Sequence, residues 1–74
     1  MNTKMVYELK FYIRETQDKF IIQNVKMKEE EYAYLLEKLE TSKFVTIINN
    51  EQDSTTINVG DIHRIETAIN IEQI

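Results

Sequence analysis

The stretch MVYELKFYIR, residues 5–14, decides the fold. Met5, Tyr7, Leu9, Phe11 and Ile13 alternate with Val6, Glu8, Lys10, Tyr12 and Arg14, the period of two that sends successive side chains to opposite faces of a half-buried strand. The first set therefore faces a core and the second faces away from it. ETQDK, residues 15–19, reads as a turn, and FIIQNV, residues 20–25, as a returning strand, so residues 4–25 form an N-terminal hairpin. Its register stays open, because Phe20, Ile21 and Ile22 are consecutive and either face could be the inner one.

Downstream the period changes. Tyr32, Leu35, Leu36 and Leu39 fall at i, i+3, i+4 and i+7, one apolar stripe of a helix over residues 28–40. Glu29, Glu30 and Glu31 occupy its first turn, where the macrodipole favours negative charge. Tyr34 lies roughly opposite the stripe and is expected to face solvent or a partner. FVTIIN and TTINV, separated by the polar NEQDS, make a second hairpin of β-branched strands. Ile65, Thr67, Ile69 and Ile71 then alternate with Arg64, Glu66, Ala68 and Asn70 in a closing strand. The expectation is an α+β domain spanning residues 1–74 in the order ββαβββ: an antiparallel sheet of about five strands with one helix packed on one face.

Composition narrows the function classes. A chain of 74 residues buries only about 60% of the surface that its unfolded form exposes, so a partner or a second copy would add to a thin stability margin. The absence of cysteine removes disulfides and thiolate metal sites. No apolar run approaches the length of a membrane span, and Glu8 and Lys10 interrupt the start MNTKMVYELK where a secretory signal would need an apolar core. A cytoplasmic protein that contacts no membrane is expected. A net charge of −4 argues against direct nucleic-acid binding, which draws on phosphate neutralisation by Lys and Arg. The charge is uneven: residues 1–28 carry six basic against three acidic groups (+3), and residues 29–74 carry three basic against ten acidic groups (−7). Such polarity favours contact between unlike surfaces.

TTINVGDIHRIE, residues 55–66, holds the chain's single glycine and single histidine. An Asp61–His63 pair would need a nucleophile or further ligands to do chemistry, and one histidine without cysteine builds neither a metalloprotease motif nor a zinc site. No catalytic residue, metal site or cofactor is expected. A structural corner explains more of the stretch: Gly60 would supply a positive φ between two strands, Asp61 would cap a short turn, Ile62 would enter the core and His63 would point outward. One glycine is also too few for a phosphate cradle.

The same TTINVGDIHRIE, as strand, tight turn and I-x-x-I strand, resembles the ending of small accessory proteins of phages and mobile elements from low-GC bacteria. Eleven isoleucines and six asparagines against two alanines have the same flavour of AT-rich coding. The resemblance covers about a dozen residues and transfers no functional residue. It implies a non-catalytic modulator that binds another protein.

Two functions compete. The first is a binding module, an inhibitor or adaptor acting by protein contact as a homo-oligomer, with Tyr12 and Tyr34 as outward aromatics of a type enriched at binding hot spots. The second is a protein that sequesters a small anionic ligand or nucleotide in a pocket between subunits, where Lys10 and Arg14 would supply charge and Tyr12 a stacking surface. For the oligomer, the uncovered sheet face predicts an interface on the N-terminal hairpin with Tyr12 near its centre.

Overall fold

Alternation along β1 (Thr3–Thr16) becomes burial as the spacing requires: Tyr7, Leu9 and Phe11 enter the core, Ile13 packs at its margin, and Glu8 and Lys10 stay exposed. The structure, a computed structural model, describes residues 3–73. After β1 come β2 (Lys19–Lys28), α1 (Glu29–Thr41), β3 (Phe44–Ile48), β4 (Ser54–Asn58), a 3-10 turn at Val59–Asp61, and β5 (Ile62–Gln73). The order ββαβββ and the α+β class are as expected.

The single five-stranded sheet is not. β1 pairs antiparallel with β2 on one side and β5 on the other, giving the order β2-β1-β5, while β3 and β4 form a separate two-stranded sheet. Both edges of β1 are occupied, and the five-residue strands β3 and β4 do better by sending Val45, Ile47 and Ile57 into the core than by extending the sheet sideways. Helix and small hairpin thus share the covering of one face.

Pairing settles the second strand. Ile22 lies opposite Tyr12 and Ile21 opposite Ile13, and directly opposed residues of an antiparallel pair share a face. Ile21 therefore sits on the core side, and Phe20 and Ile22 join Tyr12 on the outer side. Val6 is buried on that outer side, between the register positions of Lys28 and Asn70, and stands apart from the core cluster.

Leu35 is the buried centre of the helical stripe, with Tyr32 and Leu39 packed beside it and Leu36 left exposed. The Tyr32 ring stacks on Tyr7 at 4.4 Å and 16°, which ties α1 to β1. At the helix start the Lys28 N–H donates to Glu31 Oε1 (3.2 Å), which occupies one of the amides that a first turn leaves without a helical partner.

The corner at Gly60 needs correction. Gly60 does not have a positive φ, and among the described residues the one that does is Gln52 (φ 68°), in the loop between β3 and β4. Gly60 lies inside the 3-10 turn, and the cap is Asn58, whose side chain accepts from the Gly60 N–H (2.8 Å), rather than Asp61. Ile62 does pack against the core and His63 is exposed, as expected.

The loop after β3 is organised by Asn49, a buried polar residue. Its Oδ1 accepts from the Glu51 N–H (3.0 Å) and the Asp53 N–H (2.9 Å), and its Nδ2 donates to Gln23 Oε1 (3.0 Å). Next to it, the Asn50 N–H donates to the Asn24 carbonyl (3.0 Å), so the loop latches onto the outer edge of β2.

Candidate functional site

The sequence-predicted residues divide between two surfaces. Lys10, Tyr12 and Arg14 share the outer face of β1, while Tyr34 stands on the far side of the core, on α1.

On the outer face, register places Tyr12 between Ile22 and Arg64. The Tyr12 hydroxyl donates to Glu66 Oε1 (2.7 Å), and the Arg64 guanidinium lies over the Tyr12 ring at 4.3 Å and 3.6 Å from Glu66. Tyr12 first and Glu66 second raise the Arg64 pKa above its ordinary value, so this cation stays charged. The half-buried Tyr12 is therefore engaged within its own sheet. Arg14 sits 5.9 Å from the Phe20 ring centre, and the His63 ring packs on Phe20 at 4.9 Å. Lys10 borders a shallow hollow of about 480 Å³ together with Glu8, Glu51 and Glu66. Glu8 also meets Lys26 (3.8 Å) and Asn70 (2.7 Å). An anion entering the hollow would meet one cation among three carboxylates.

Tyr34 borders a larger groove, about 760 Å³, between α1, the outer edge of β2 and β3. Val25, Leu35, Val45 and Ile47, members of the core cluster, reach its lining. Tyr34 (60% exposed), Phe44 and Ile48 stand exposed along it, and Lys38 reaches over the Tyr34 ring at 5.2 Å. Sequence reasoning misses Phe44 and Ile48, although the signal is present: FVTIIN alternates Phe44, Thr46, Ile48 with Val45, Ile47, Asn49, leaving large apolar groups on both faces of one short strand.

Among the described residues no group of three or more His, Cys, Asp or Glu is placed to hold a metal ion, and no helix is long and apolar enough to cross a membrane. Compared with known proteins, the chain matches no family model, no curated protein and no solved structure.

Proposed function

We propose that the chain is a non-catalytic binding module that acts by protein–protein contact as a homo-oligomer, and that its groove takes an extended segment of a partner protein. The observation that carries this reading is the groove wall: large exposed apolar side chains, Tyr34, Phe44 and Ile48, beside β3, which among the described residues has a strand neighbour on one side only. An extended peptide satisfies both features at once. Its main chain pairs with the open edge of β3 and its alternate side chains enter the apolar lining, while Tyr34 supplies a rigid amphipathic contact.

The test is selection of displayed random peptides on the purified protein. Enriched sequences should alternate apolar residues, and their binding should be lost in Tyr34→Glu and Ile48→Glu but kept in Tyr12→Glu, with far-UV circular dichroism confirming that each variant folds. Peptides that bind all three variants equally, or no enrichment at all, would reject the groove as the binding site.

A further inference from the structure

We infer that two copies of the chain pair antiparallel through the outer edge of β5, about a two-fold axis passing through Ala68, and join their three-stranded sheets into one continuous sheet. This names the interface of the homo-oligomer in the functional reading above and rests on that part of it.

The two edges of the β2-β1-β5 sheet are treated differently. β2 carries Lys19, Lys26 and Lys28, and the Asn50–Asn24 bond covers part of its edge, both of which discourage pairing with another strand. β5 has no strand against its outer edge among the described residues. It contains neither Lys nor Pro, and from Arg64 to Gln73 its register with β1 runs without a bulge. Natural edges left long and regular in this way are templates for a further strand.

The residues of β5 then select a register. A two-fold axis perpendicular to the sheet keeps the two faces aligned only if it passes through a residue, because opposed residues must point the same way. Centred on Ala68, Arg64 lies opposite Glu72 of the second copy, Ile65 opposite Ile71, Glu66 opposite Asn70 and Thr67 opposite Ile69, and symmetry repeats each pair. Apolar positions meet apolar positions or threonine, unlike charges meet twice, and the smallest side chain of the strand sits where two identical side chains must face each other. Centring on residue 66 sets Glu66 against itself, centring on 69 sets Glu66 against Glu72, and centring on 67 leaves Arg64 opposite Asn70; like charges directly opposed destabilise a sheet.

The pairing also accounts for two exposed side chains that the chain itself leaves uncovered. Ile69 and Ile71 are 55% and 71% exposed on the core side of β5. In the proposed register each gains an apolar or threonine neighbour from the second copy.

Charge reversal tests register as well as assembly. Arg64→Glu sets a new carboxylate against Glu72 twice, and Glu72→Arg sets a new guanidinium against Arg64 twice. Sedimentation equilibrium should therefore show each variant alone associating at least about tenfold more weakly than wild type, from two attractive pairs made repulsive. An equimolar mixture of the two restores an attractive pair at one end of the interface and reverses its polarity at the other only if the strands meet in this register, and should sediment as a heterodimer near twice 8.9 kDa, a rescue that damage to either fold cannot produce. Ala68→Cys, in a chain without cysteine, should cross-link on mild oxidation because opposed Cα atoms lie roughly 4.5–5.5 Å apart; Asn70→Cys should not. A wild-type dimer that ignores both charge variants, and an Ala68→Cys variant that forms no cross-link, would overturn the β5 interface while leaving the homo-oligomer reading in place. A wild-type mass of 8.9 kDa up to high micromolar concentration would overturn both.

Discussion

Replacing Asn49 by alanine tests whether one buried amide holds the β3–β4 loop against the main sheet. The substitution removes two bonds accepted by Oδ1, from the Glu51 and Asp53 amides, and one donated by Nδ2 to Gln23. Each hydrogen bond is worth about 1 kcal/mol net, and water reaches the two loop amides once the side chain is gone, so the expected loss is about 2 kcal/mol rather than the full sum. For 74 residues the total stability is of order 4–11 kcal/mol, which makes this a substantial fraction, and the melting temperature should fall by about 8–16 °C. Asn49→Asp keeps the acceptor for both amides, and rotation of the Gln23 amide can restore the third bond, so it should cost about 1 kcal/mol or less. Urea unfolding at one fixed protein concentration, with amide exchange at Asn50 as a local probe, measures both. A loss below about 0.5 kcal/mol for alanine, or an aspartate variant as weak as alanine, would refute the assignment of Asn49 as the organiser of this loop.

Two further outcomes follow from burial and backbone geometry. Phe11 is 0% exposed, so Phe11→Ala should cost about 3–5 kcal/mol and leave little cooperative unfolding signal in a thermal melt; a sharp transition near the wild-type temperature would contradict the core assignment. Gly60→Ala should be tolerated within about 1 kcal/mol, because Gly60 has no positive φ and an added Cβ would meet only the Asn58 carboxamide oxygen, at 3.2 Å; a loss above about 2 kcal/mol, read by denaturant unfolding, would show that the turn cannot accommodate a side chain.

How far the chain discloses its own fold can be followed residue by residue. β1 is legible because Tyr7, Leu9 and Phe11 alternate with charged neighbours, and the helix because its apolar residues share one stripe. The second strand is not, since three consecutive apolar residues satisfy either face, and only pairing with Tyr12 and Ile13 assigns them. The division into two sheets is equally hidden: FVTII and STTIN carry strand periodicity without any mark of which edge they will meet. Gly60 misleads because glycine permits a positive φ without requiring one, whereas Gln52 adopts it in a loop fixed by Asn49. Tyr12 looks available for contact because its partners, Arg64 and Glu66, lie far along the chain. The groove beside Tyr34 depends on where β3 comes to rest, which no local pattern specifies.

The middle position of β1 bears on how the protein comes into being. Its two neighbours are made at very different times, since β2 follows after a two-residue turn whereas β5 comes last among the described strands. At roughly 5–20 residues per second of synthesis, the first hairpin is out of the ribosome seconds before Ile62–Gln73. During that interval one whole margin of β1 offers its amides and carbonyls to any passing strand, and Phe11 and Leu9 lack the residues that will enclose them. Closing so long a loop is also the entropically costly and slow kind of step that distant strand pairing demands. The nascent chain is therefore most exposed to misassociation in the interval before Ile62–Gln73 appears and takes its place against β1.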